Sequence, residues 1–195
     1  MKIVKKFDVE MAHIVRNAWS GRCARSLHGH TYTIELVIER IHGGLFDAGR
    51  MIIDFGLIKE HLGPFVDSFD HATLLWSKDP DEDMVGFLCK HSDRVIVCDE
   101  SSSCEMMAAL ILAGCNRLID HTTELQNVKV TSVIVHETKT GRAICNHRDD
   151  WVSFVHDTGL LNTIHFSPAI QGEWPLEFVH AVARAGIGKD NLRTF

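Results

Sequence analysis

Two histidines separated by a single residue, His28 and His30 in the run HGH, carry the most readable chemistry in this 195-residue chain. They open an alternating stretch, and on a strand residues two apart share a face, so both imidazoles can converge on one metal ion. With 13 histidines present, about one H-x-H arises by chance, and the motif alone also reads as hydrogen-bonded strand histidines. His13 follows a first predicted strand that can pair with the second and add a third imidazole; alone, it also reads as a solvent-facing strand end. Three histidines make an open, catalytic type of zinc site, because structural zinc is closed by four protein ligands. Cys23 lies five residues before His28 in a segment with three arginines, and nearby cations favour the reactive thiolate. Asp70-His71 offers a carboxylate beside an imidazole, suited to proton transfer. The pairing recurs at Asp120-His121 and His156-Asp157, so the dipeptide does not choose among them. Glu137 ends an alternating run, where a carboxylate can accept two N–H donors from a guanidine-like edge. Glu105 also reads as an acid in a first helical turn.

These residues need elements to place them. Residues 2–11 and 31–39 read as strands, and residues 14–27 as a loop over a site. A turn at 43–51 leads into a short strand, MIIDF, and a helix over about residues 56–69 that Pro64 bends or interrupts. Residues 77–83 form a charged loop and 94–98 a buried strand; the serines at 101–103 cap an apolar helix, EMMAALILAGCNRLI. Residues 127–138 alternate as a strand, TKTG turns, and RAIC returns. The order is ββ, helix, helix, ββ: an α+β chain. Residues 146–195 differ in composition and hold one amphipathic helix, PLEFVHAVARAG, whose apolar stripe is expected at Phe178, Val179, Val182 and Ala183.

The length, with 45% hydrophobic residues, supports one domain with a true core. A net charge of −6 gives no long-range attraction for nucleic acid or an anionic membrane, and small molecules are the expected partners. No run reaches membrane-spanning length and MKIVKKF lacks the apolar stretch of a signal peptide. The six cysteines, with no CxxC pair, therefore read as reduced thiols of a cytoplasmic protein; all but Cys23 read as small core hydrophobes.

Six blocks occur in a telling order: F-x4-A-H at 7–13, C-x4-H-G-H at 23–30, IDFGLIK at 53–59, FDH at 69–71, S-x-E at 103–105 and HET at 136–138. In that order residues 1–145 resemble the 6-carboxytetrahydropterin and 6-pyruvoyltetrahydropterin synthase family. The resemblance implies the tunnelling fold, in which ββααββ subunits join their sheets into an oligomeric barrel with active sites between subunits; a homo-oligomer, with a hexamer favoured, is expected. It also implies zinc on His13, His28 and His30, Cys23 as catalytic thiol, and Asp70 and His71 as its partners in proton transfer. Glu137 would anchor the pterin and Glu105 would line its pocket.

The implied substrate is 7,8-dihydroneopterin triphosphate, with Lys5, Arg16, Arg22 and Arg25 available for its phosphates. The implied product is 6-carboxytetrahydropterin, on the route to deazaguanine nucleosides such as queuosine, because LHGHTY resembles that branch. The alternatives are 6-pyruvoyltetrahydropterin formation and a pterin-binding or regulatory protein with weak turnover. Three features depart from the family pattern: the four residues between Cys23 and His28, Ser102-Ser103-Cys104 in place of Pro-Thr-Ser, and residues 146–195. That C-terminal extension is expected to pack outside the barrel core and to supply no zinc ligand; the contrary expectation is that His147, His165 or His180 reaches the site.

Overall fold

The computed structural model describes residues 1–44 and 46–190. Leu45, within the expected 43–51 turn, and residues 191–195 of the C-terminal extension lie outside the described residues. In chain order the elements are β1 (Lys2–His13), α1 (Gly21–Arg25), β2 (His28–Arg40), α2 (Phe55–Asp67), β3 (Thr73–Trp76), α3 (Glu82–His91), β4 (Val95–Cys98) and α4 (Cys104–Asp120). After a short 3-10 turn come β5 (Val128–His136), β6 (Arg142–Asn146), α5 (Asp150–Asp157), α6 (Leu160–Thr163), β7 (His165–Phe166), α7 (Pro168–Gly172) and α8 (Leu176–Ala185).

All the strands join one seven-stranded sheet, ordered β6-β5-β2-β1-β3-β4-β7. The expected ββ-helix-helix-ββ frame is present as β1, β2, α2, α4, β5 and β6, with antiparallel pairing β1–β2, β2–β5 and β5–β6. Between the two helices the chain inserts β3, α3 and β4, a parallel strand-helix-strand unit. The pattern reading missed β3 because TLLW is too short and too evenly apolar to alternate. It ended the 77–83 loop without seeing α3, where Asp81 caps the helix by accepting from the Met84 N–H.

MIIDF is not a strand. Ile52 and Ile53 are buried without a ladder partner among the described residues, and Asp54 turns its carboxylate onto the Gly56 N–H to start α2. That helix runs through Pro64 to Asp67. The N–H that proline lacks would have met the carbonyl of Glu60, an exposed residue, so water can satisfy that acceptor.

Helix α4 is the buried centre: every residue from Met106 to Cys115 is covered. It meets α2 closely, since a Cβ on Gly114 would fall 2.4 Å from the Phe65 ring. The C-terminal residues Val152, Val155, Leu160, Leu161, Ile164 and Phe166 belong to the same apolar cluster as α4, and β7 pairs with β4. In α8 the buried stripe is Phe178, Ala181, Val182 and Ala185, with Val179 and Ala183 outward. This corrects the expected stripe by a fraction of a turn, and burial at i, i+3, i+4 and i+7 is the spacing of one helix face. No described helix is long and apolar enough to cross a membrane.

Candidate active site

The β1–β2 ladder sets His13 directly opposite His28 and Met11 opposite His30. The alternation of β2 puts His30 on the face of His28, and the intervening Gly29 leaves no Cβ against the Met11 carbonyl, which would lie 3.3 Å from one. The three ring centroids are 4.7, 5.3 and 5.0 Å apart. One nitrogen from each ring lies within 4.8 Å of the others.

Two of the rings are anchored through a second nitrogen. His13 Nδ1 lies 2.7 Å from the Ser102 carbonyl and His28 Nδ1 2.9 Å from that of Ser26. A carbonyl only accepts, so both rings donate from Nδ1, the outer contact expected of metal-binding histidines. His13 is 1% exposed. Its pKa is lowered, chiefly by burial and also by His28 and His30, against the raising influence of the Ser102 hydrogen bond and Glu137. Imidazole is a common ligand of divalent ions, so three converging rings, two of them held through Nδ1, fit a divalent metal held by three protein groups.

Beside the cluster, Glu137 Oε1 lies 3.6 Å from His13 Nε2 and 3.4 Å from the Tyr32 hydroxyl, which donates to it. Tyr32 stands edge-on to His30, with ring centroids 5.5 Å apart; burial and the Glu137 charge raise its pKa. Pattern reading missed Tyr32, although it extends the His28, His30 alternation by one step. It also missed the Ser102 and Ser26 carbonyls, because a backbone acceptor leaves no mark in side-chain chemistry. The Ser102-Ser103 departure is accommodated here: Ser102 Oγ donates to the Ile14 carbonyl, and Ser103 caps α4.

Cys23 sits half-buried in α1, a turn of helix capped by Ser20. Burial pushes Cys98 and Cys104 up to about 12 and Cys145 up to about 11, which holds these thiols protonated. Glu105 is exposed in the first turn of α4 and makes no side-chain hydrogen bond among the described residues.

Asp70 and His71 are paired with each other, His71 Nδ1 lying 2.9 Å from Asp70 Oδ2. Neither makes a hydrogen bond or ion pair with the three-histidine cluster among the described residues. Of the four cations, Arg16 is committed to Asp79 and Asp81 and Lys5 lies over the Phe7 ring. Arg22 and Arg25 line an open hollow of about 560 Å³ with Trp19, Ser20 and Ser26, beside Cys23.

A single mixed sheet backed by α4, with an open three-histidine cluster at the β1–β2 end, marks an enzyme of the tunnelling-fold type. The 6-pyruvoyl tetrahydropterin synthase family model matches residues 2–148, and the chain belongs to this family of lyases. A 6-carboxy-5,6,7,8-tetrahydropterin synthase of Helicobacter pylori (strain J99) is 35% identical, covering 93% of this chain and 91% of its own. Among solved structures, an uncharacterized protein of Wolinella succinogenes aligns with a TM-score of 0.61 at 19% identity, over 76% of this chain and 98% of its own. The 6-pyruvoyl tetrahydropterin synthase of Plasmodium vivax aligns with a TM-score of 0.54 at 19% identity, over 74% and 96%. These two show the shared fold.

Proposed function

We propose that the protein converts 7,8-dihydroneopterin triphosphate to 6-carboxytetrahydropterin, with zinc as its metal, in a cytoplasmic route to deazaguanine nucleosides. The observation that carries this reading is the convergence of His13, His28 and His30 with Glu137 at their edge. Zinc held by these imidazoles would supply Lewis acidity to the hydroxyl and carbonyl oxygens of the substrate side chain.

The chain's own groups do the rest. Glu137 accepts the N–H donors of the pterin's guanidine-like edge, and the Tyr32 hydroxyl orients that carboxylate. Glu105 lines the same pocket. Cys23 takes a proton from the substrate side chain, and Arg22 and Arg25 face the departing triphosphate. His71 moves the second proton while Asp70 holds its ring.

The separation of His71 from the cluster is consistent with active sites formed between subunits, since its side chain is 72% exposed in the single chain. The sheet supports a homo-oligomer, a hexamer by family resemblance. Among the described residues, β1 pairs on its β3 side only at Ala12 and His13, and β6 has no further strand beside it. Unpaired edges of this kind seek partners. The domain reading carries over as a pterin-synthase region over 1–145 and an extension over 146–195 that supplies no metal ligand.

Turnover of 7,8-dihydroneopterin triphosphate by zinc-loaded protein, followed by mass analysis, tests the proposal. Accumulation of 6-carboxytetrahydropterin is expected. A 6-pyruvoyl product would move the chain to the other branch, and pterin binding without turnover would make it a binding protein.

A further inference from the structure

The turn that carries Asp70 and His71 is held from two sides, and much of one side comes from beyond the family-matched region. His71 has a φ of +53°, a left-handed conformation that costs a side-chain-bearing residue energy and persists only where surroundings impose it. On one side lies β1: the Glu10 N–H donates to Asp70 Oδ1 at 2.8 Å, and the His71 N–H donates to the Glu10 carbonyl at 2.6 Å.

On the other side lies Arg94. Its Nε donates to the Asp70 carbonyl at 2.8 Å and one terminal nitrogen to the Asp67 carbonyl at 3.1 Å. Its other terminal nitrogen is paired with Glu173. The neighbouring Trp174 donates from Nε1 to Ser68 Oγ at 2.9 Å, and that hydroxyl in turn donates to the Pro64 carbonyl. The Trp174 ring is wedged between Phe166 and Phe178, 5.3 Å from each. Ser167 of the same segment braces the Arg94 backbone, accepting from the Val95 N–H and donating to the Asp93 carbonyl.

We infer that the C-terminal segment positions the Asp70–His71 pair: Glu173 holds the Arg94 guanidinium on the Asp70 carbonyl while Trp174 holds Ser68. This rests on the reading of Asp70 and His71 as proton-transfer groups. A planar guanidinium that reaches Asp67, Asp70 and Glu173 at once fixes both the place and the direction of the turn, which a point charge would not. Glu173 is 64% exposed at its side chain and contributes little apolar burial. Its pairing with Arg94 is therefore better explained by orientation than by stability. Small misplacement of a proton-transfer group lowers turnover without changing what binds.

The test uses the full-length, zinc-loaded enzyme with 7,8-dihydroneopterin triphosphate. Glu173→Gln removes the ion pair, and Trp174→Phe keeps an aromatic ring between Phe166 and Phe178 but removes the indole N–H. Each is measured alone and in an Asp70→Asn background. Each single variant should lower kcat on the order of tenfold with KM, zinc content and melting temperature close to the parent, and should cost nothing further once Asp70 is Asn. Parental kcat in both variants, or losses that multiply with Asp70→Asn, would overturn the inference.

If Asp70→Asn itself turns over at the parental rate, the catalytic reading of the pair fails. The His71 ring proton resonance then decides the positioning claim: it should shift in Glu173→Gln, and an unmoved resonance refutes the clamp.

Discussion

His28 and His30 share a strand face and His13 sits across the ladder from His28, so backbone hydrogen bonds bring the cluster together before any side chain takes part. Asp70 and His71 have no such ladder of their own. Their turn is fixed by Glu10, 60 positions away in sequence, by Arg94, and by Glu173 and Trp174 near the far end of the chain. One half of the proposed machinery thus inherits the placement of its residues from local register, with the distant Ser102 carbonyl only turning the His13 ring, and the other depends for placement itself on distant contacts that must all form. The first should tolerate remote changes and fail at its own residues; the second should fail at a distance.

The sharpest way to break the ladder-built half is at its ligands. His28→Ala or His30→Ala should drop bound zinc to near zero by elemental analysis and lower turnover by about 100-fold or more, while Cys23→Ala keeps the zinc and loses turnover alone. Zinc retained at parental stoichiometry in a His13, His28, His30 triple alanine protein would remove the metal site from consideration.

For the turn, Asp70→Asn should keep zinc and pterin binding but reduce kcat by about 100-fold, the lower range for losing a group that supports acid–base catalysis. Single-turnover kinetics with a pterin-binding titration would check the split. A loss confined to binding would place Asp70 in the pocket rather than in proton transfer.

A core change should strike neither half selectively. Gly114→Ala pushes a methyl into the Phe65 ring and should cost about 1–3 kcal/mol by denaturant unfolding, with the zinc content of the folded fraction unchanged. Parental stability would mean that α2 and α4 can separate cheaply.

Acid should separate the two halves most gently. In metal-free protein, burial depresses the His13 pKa, so the unfolded chain binds that proton first. Stability contributed by neutral His13 is complete above the ordinary value of 6.5 and falls as pH drops from there toward the folded value. Burial opposes the Asp70 carboxylate, but the Glu10 N–H and His71 outweigh it, and its pKa lies below the ordinary 3.8. Its contribution is present above that value and is lost as pH falls through the folded one, a small effect for a partly exposed group. Unfolding free energy against pH should show a first decline below neutrality, abolished by His13→Gln, and a second, shallower one in strong acid, abolished by Asp70→Asn.

The sequence by itself determined the ladder and most of what stands on it. Alternation in residues 31–39 and 127–138, the HGH spacing and the apolar run of α4 are local patterns, and strand and helix periodicity convert them directly into faces. The convergence of the three histidines was legible for that reason, and Tyr32 could have been read with it. The structure alone decided what depends on contacts between distant segments: the short parallel strand β3 and its crossover α3, the buried coil at Ile52 and Ile53 in place of a strand, and the face that α8 turns to α4. It alone decided that Ser102 and Ser26 turn the histidine rings, that Arg16 is committed to Asp79, and that Glu173 and Trp174 reach back to the Asp70 turn. Backbone carbonyls carry no residue identity, and an ion pair between positions 94 and 173 has no periodicity. Such features exist only once the chain has closed on itself.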